Sequence, residues 1–115
     1  MKILVCGGRG YDDYLKLCEE LNKLYDEGVE VVIHGGAKGA DSLAGRWARD
    51  TNTQVKVCKP DWEKYGKSAG ILRNIQMLEE ETPDLVVAFP GGKGTAHMVS
   101  IARKKGVKVI EVTCN

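Results

Sequence analysis

The strongest constraint on this chain is an alternation that runs from one end to the other. Short strand-like apolar runs take turns with stretches of helical period. The first run is "KILVC", Lys2–Cys6, and the turn "GGRGYDD" follows it. Leu17, Cys18, Leu21, Leu24 and Tyr25 then recur at helical spacing. Asp12 or Asp13 suits the N-cap of that helix, and Gly28 suits its end. Residues 29–33, "VEVVI", form the second run, followed by "HGGAKGAD". Leu43, Ala44, Trp47 and Ala48 mark one face of a second helix. Residues 54–58, "QVKVC", form the third run, and "KPDWEKYGKSAG" is a longer connection with room for one helical turn. Ile71, Leu72, Ile75 and Leu78 give a third helix that ends in the solvated run Glu79, Glu80, Glu81. Residues 84–89, "DLVVAF", are the fourth run, and "PGGKGT" follows. Thr95, Met98, Val99 and Ala102 share a face of a fourth helix that Gly106 closes, and residues 107–112 form the fifth run.

Strands that alternate with helices need crossover connections, which build a parallel sheet with helices on both faces. Runs one, two and four are almost wholly apolar, as strands buried on both sides must be. Val55 and Val57, and Val107 and Val109, alternate with lysines, which suits strands nearer an edge. The order 3-2-1-4-5 satisfies both patterns. It is the doubly wound, Rossmann-like α/β arrangement, with its switch point between strands one and four.

At 115 residues the chain suits one domain over residues 1–115, large enough to bury a core without metals or disulfides. The four cysteines, Cys6, Cys18, Cys58 and Cys114, form no C-x-x-C pair and no zinc spacing. Cys6, Cys18 and Cys58 read as small core residues, which fits a reducing cytoplasm. No metal and no cofactor is expected. The apolar start "MKILVCGG" is too short for a signal peptide or a membrane span. Seventeen basic side chains against 16 acidic ones leave a formal charge of +1. That balance argues against a general grip on nucleic acid or an anionic membrane.

In a parallel sheet every loop after a strand lies on one rim. The loops after strands one, two and four are the glycine-rich ones, and these strands are central neighbours. They are expected to converge over the switch point, where open α/β sheets bind ligands. Glycine allows close backbone approach, and helix N-termini offer amides to an anion. The candidate phosphate-binding residues are therefore Gly7, Gly8 and Arg9; Gly35, Gly36, Lys38, Gly39 and Asp41; and Gly91, Gly92, Lys93, Gly94 and Thr95. Any one such turn can serve tight strand–helix packing alone. Three on one rim, each beside a basic residue, point to an anionic ligand. Arg73 and Asn74 open the third helix near the same rim, where an arginine can clamp a phosphate bidentately. By periodicity alone, Arg73 reads first as a solvated helix arginine. No G-x-x-x-x-G-K-[ST] is present, and "GGRGYD" lacks the third glycine of the dinucleotide fingerprint.

"VCGGRGYDD", "VVIHGGAKGADSLAGRWA", "RNIQML" and "DLVVAFPGGKGTAHMV" together resemble the SLOG superfamily. Within it they resemble the YspA-like, YpsA-related group of small bacterial and phage proteins. That superfamily includes the LOG enzymes, which are nucleoside-monophosphate phosphoribohydrolases, the DprA single-strand DNA binders, and sensor domains for ADP-ribose-like signals. The resemblance implies a nucleotide or sugar phosphate held over the switch point. Gly91, Gly92, Gly94 and Thr95 match the P-G-G-x-G-T loop of the LOG enzymes. Arg73 matches the arginine of their R-K-x-x-M segment, with Asn74 in place of lysine. Those enzymes carry a glutamate two residues after the threonine, where this chain has His97. An imidazole cannot supply the negative charge of that carboxylate. The turns "GGRGY" and "GGAKGAD" are similar to DprA turns, but sparse aromatics do not favour a single-strand track.

Other side chains invite chemistry. His34 reads as a hydrogen-bonded strand-end residue and His97 as an exposed first-turn residue, each with a second reading as a proton-transfer group. Asp41 reads as a helix cap, with a ribose hydroxyl contact as its second role. Thr95 is expected to cap its helix or bond a phosphate oxygen. Asp61 and Glu63 could replace the missing carboxylate. Trp62 and Tyr65 could stack on a base or cover the helix–sheet seam. The expectation is a nucleotide-binding sensor, carrier or sequestering module, pairing as a homodimer. An N-glycosidase with Arg73, His97, Asp61 or Glu63 at its centre is the enzyme alternative, and a single-strand nucleic-acid binder is the third class.

Overall fold

A computed structural model describes residues 1–113. Its strands are β1 (Lys2–Cys6), β2 (Val31–His34), β3 (Gln54–Val57), β4 (Leu85–Ala88) and β5 (Lys108–Glu111). All pair in parallel, in the order β3-β2-β1-β4-β5. The doubly wound reading holds, with β1 and β4 side by side at the switch point.

Residue pattern explains that order. Residues 3–6 of β1 and all of β4 are buried, while all four residues of the edge strand β3 are exposed. The helices are α1 (Tyr14–Tyr25), α2 (Ala40–Asp50), the single turn α3 (Trp62–Tyr65), α4 (Ala69–Glu81) and α5 (Lys93–Lys104). Alternation along each strand sorts side chains to two cores. Ile3, Val5, Val32 and Val87 pack with Leu17, Leu21 and Leu24 of α1 and Ala44, Trp47 and Ala48 of α2. Leu4, Ile33, Val86 and Ala88 pack with Met77 and Leu78 of α4 and Met98, Val99 and Ala102 of α5 on the opposite face. Helices therefore cover both faces, and among the described residues none is long and apolar enough to cross a membrane.

Several local expectations shift. The second strand starts at Val31, because its pairing with β1 begins at Lys2 opposite Val31. In α4 the sheet-facing residues are Asn74, Met77 and Leu78, while Ile71 is 52% and Leu72 38% exposed. Helical spacing alone cannot tell which apolar stripe faces inward. Here Asn74 turns in to meet α5, which carries Ile71 and Leu72 outward. Trp62 and Tyr65 are also exposed and do not seal the seam. Of the cysteines, Cys6 is buried and Cys18 and Cys58 are half-buried, all as free thiols. Cys114 lies outside the described residues.

Candidate functional site

The rim above the carboxyl ends of β1, β2 and β4 is built by direct backbone contact between the glycine loops. Gly8 donates its amide to Pro90 O at 2.9 Å, which ties the loop after β1 to the loop after β4. Gly8 O accepts from Ala40 N at 3.2 Å, which ties the same loop to the start of α2. Gly39 makes this approach possible. Its φ is +78°, and a Cβ there would run into the carbonyl oxygen of Gly8 and, at 2.6 Å, that of Arg9. The three loops meet as the sequence reading expected. The helices behind two of them start at Gly39 and Gly92 without side-chain caps, so the first turns of α2 and α5 keep backbone donors at the rim.

Asp41 serves a different purpose from the expected helix cap. It sits inside the first turn of α2, where its Oδ2 accepts from Gly35 N at 3.0 Å and Ala37 N at 3.2 Å. The carboxylate thus clips the loop after β2 into shape. Burial raises its pKa, against the amides of Ala37 and Gly35 and the charges of His34 and Arg73, which lower it. His34 accepts Gly36 N at its Nδ1 (3.0 Å) as a strand-end hydrogen-bonding residue. Burial pushes its pKa below the ordinary value, with the Arg49 and Arg73 charges adding to the fall and Asp41 opposing it. Near neutral pH an accepting Nδ1 and a depressed pKa describe the same species, a neutral imidazole; the ring carries the charge that acts on Asp41 only in acid.

Arg73 is not a solvated helix arginine. Its Nη1 reaches 38 positions back along the chain to donate to Gly35 O at 2.7 Å, and its Nε donates to Asn74 Oδ1 at 3.2 Å. Gly35 leaves room for this, since a Cβ there would overlap the guanidinium, with Cζ at 2.6 Å. Burial is the main cause that lowers the Arg73 pKa, and the charge of Arg9 acts in the same direction. Asn74, buried, donates through Nδ2 to Gly94 O at 3.2 Å and lies 3.2 Å from His97 Nδ1. His97 is half-buried against α4 and is not the exposed first-turn residue its position suggested. A bonded chain thus runs from the loop after β2, through α4, to the first turns of α5. Beneath it, burial and the Asp41 charge push the Cys6 thiol up to about 12, which makes it inert at neutral pH.

On the other side of the Gly8–Pro90 seam lies a cleft of about 590 Å³. Its lining is Gly8, Gly10, Tyr11, Asp12, Asp13, Lys16, Pro90, Gly91 and Thr113. Of the sequence candidates, only Gly8 and Gly91 line this cleft. Gly7, Gly35, Gly39, Asp41, Arg73 and Asn74 form the packed rim beside it. Arg9, Gly36, Lys38, Gly92, Lys93 and Gly94 are exposed and do not line it. Thr95 is the third residue of α5 and does not cap it; its Oγ1 lies against Gly91. Asp61 and Glu63 sit away from the cleft on α3, where Asp61 Oδ1 caps the turn by accepting from Lys64 N at 3.1 Å. Sequence reasoning missed Tyr11 and Asp12. The Tyr11 ring packs on Phe89 with centroids 5.2 Å apart, and Tyr11 and Asp12 both line the cleft. Their signal was position, in the turn after the first glycine pair.

A family model described as the YspA, cpYpsA-related SLOG family matches residues 1–65. The chain belongs to that family. The match takes in β1, β2 and both of their glycine loops. The Gene 61 protein of Mycobacterium phage D29 is 39% identical over 120 residues, covering 95% of this chain and 94% of that protein. Similarity to that relative therefore extends over α4, the loop after β4 and α5 as well. Membership ties this SLOG protein to a Rossmann-like, nucleotide-related superfamily.

Proposed function

We propose that this SLOG protein binds a nucleotide or nucleotide-sugar phosphate, of the nucleoside-monophosphate or ADP-ribose kind. It acts as a cytoplasmic sensor, carrier or sequestering module. The observation that carries this reading is the half-buried Arg73 guanidinium, anchored on Gly35 O beside the meeting point of the glycine loops. Two of the five N–H groups an arginine offers are engaged, by Gly35 and Asn74, and the others have no acceptor among the described residues. A phosphate takes such donors bidentately. The uncapped start of α5 adds amides and a favourable dipole, and exposed Arg9 and Lys93 add charge. The adjoining cleft has the volume of a small-ligand site and Tyr11 in its lining. Binding without hydrolysis is favoured by the imidazole of His97 at the position of the LOG glutamate.

Mass spectrometry of small molecules released on gentle denaturation tests the reading. A co-purifying nucleotide that Arg73→Ala fails to retain supports it. Absence of any nucleotide, together with no calorimetric binding of AMP or ADP-ribose, would sink it. The N-glycosidase alternative is favoured by two acidic residues, Asp12 and Asp13, which line the cleft together with Gly8 and Gly91. Release of free base that disappears in Asp12→Asn would establish catalysis. Single-strand nucleic-acid binding predicts salt-dependent retention of oligonucleotides, and the charge of +1 speaks against it. A homodimer belongs to the same proposal, since two nearly neutral copies do not repel each other.

A further inference from the structure

Two groups of invariable role decide which way the Asn74 amide faces. An arginine Nε–H can only donate, and a peptide carbonyl can only accept. Arg73 Nε lies 3.2 Å from Asn74 Oδ1, and Asn74 Nδ2 lies 3.2 Å from Gly94 O. The amide oxygen therefore faces Arg73 and the NH₂ faces the start of α5. A flipped amide would set donor against donor at Arg73 and acceptor against acceptor at Gly94. That NH₂ also lies 3.2 Å from His97 Nδ1. An NH₂ brings only donors, so Nδ1 must be the acceptor. The proton of His97 is then on Nε2, which has no protein partner among the described residues. Asn74 is only 6% exposed, so its amide takes its partners from these protein groups.

We infer that Asn74 is a positioning residue: a single amide holds the Arg73 guanidinium at the Gly35 carbonyl and sets His97 as a neutral Nε2–H donor beside the anion-binding rim. Where it concerns the ligand, the inference rests on the proposed nucleotide-phosphate reading. With its amide taken up by protein groups, Asn74 acts through its two neighbours and not on the ligand. His97 becomes a directional hydrogen-bond donor instead of a base poised to accept a proton at Nδ1. The loop after β4 and the loop after β2 are then coupled through the Arg73–Asn74 pair, so that the α5 first turn and Arg73 present their donors in register.

Long-range ¹H–¹⁵N spectra of the imidazole rings near neutral pH test the assignment directly, with His34→Asn distinguishing the two histidines. The expected result is a single His97 form with Nδ1 unprotonated. In Asn74→Asp the carboxylate can only accept, so His97 should switch to a form protonated at Nδ1. Protonated Nδ1 in the parent protein, or an unchanged tautomer in folded Asn74→Asp, overturns the inference. Calorimetry with AMP and ADP-ribose tests the Arg73 half. Asn74→Ala should weaken binding by about tenfold, the scale of losing one hydrogen bond to a charged group, and should cost clearly less in an Arg73→Ala background than in the parent, the remainder running through His97. Additive losses overturn the coupling. A parent protein that shows the His97 tautomer but binds neither probe overturns the nucleotide reading and the Arg73 half, and leaves the tautomer assignment standing.

Discussion

Gly35 and His34 are adjacent in the chain and set two different properties. At Gly35 a Cβ would meet the Arg73 guanidinium and, at 3.0 Å, Asp41 Oδ2. The first obstacle is the far end of a flexible side chain, which can swing away with little damage to the core. Gly35→Ala should therefore leave the melting temperature within a few degrees and weaken AMP binding by about tenfold, since a displaced guanidinium loses its charge-assisted contacts. Calorimetry beside a thermal melt checks both. His34 sets a pH dependence. Its folded pKa lies below the ordinary 6.5, so between the two values the unfolded chain binds the proton and the folded one does not. Its contribution is complete above pH 6.5 and declines as pH falls below that. Asp41, with a raised pKa, acts with the opposite sign as acidification continues toward 3.8. Melts at about pH 7.5 and about pH 5.5 should show a lower midpoint in acid, and His34→Asn, which keeps an acceptor for Gly36, should shrink the difference.

Among the elements, the pair α1 and α2 carries much of one core, and Trp47 is its keystone. The indole is buried to 1% exposure, donates through Nε1 to Asn22 Oδ1 at 2.9 Å, and meets Tyr25 edge-on at 5.9 Å. Trp47→Ala removes the packing and leaves a cavity, at a cost of about 3–5 kcal/mol. A domain of this size has only about 5–15 kcal/mol to lose, so a urea titration should show a midpoint near collapse. The element that resisted sequence reading is α4. Its pattern "ILRNIQML" carries two overlapping apolar stripes, and periodicity has no means to choose between them. A buried polar residue decided the matter. Asn74 finds partners on α5 only if it points inward, and Ile71 and Leu72 then point out.

At the scale of the whole molecule, Ile71 and Leu72 join Trp62 and Tyr65 of α3 as exposed side chains, with Val55 and Val57 exposed on the edge strand β3. Soluble single chains seldom leave so many large apolar side chains uncovered together. The proposed homodimer would bury them. Sedimentation analysis should find a dimer at micromolar concentration, and Trp62→Ser with Ile71→Ser should shift it to a monomer that keeps the parent's folded circular-dichroism spectrum. A parent protein that sediments as a monomer at every concentration would end that proposal.

The amino-acid sequence by itself determined the sheet, its order and the meeting of the glycine loops. These follow from local quantities: the two-residue and 3.6-residue periods of burial, the lysines that mark an edge strand, and the rule that parallel connections share a rim. Family membership was legible for the same reason, because the glycine turns are short and contiguous. Only the tertiary structure decided what the polar side chains do. Asp41 clips a loop instead of capping its helix, Arg73 reaches a carbonyl 38 positions away, and Asn74 reads its orientation from partners on two elements. Tyr11 and Asp12 became cleft residues because β4 lies beside β1. Hydrogen bonds and charges act over a few ångströms of space, and distances between elements are not written in any local pattern of residues.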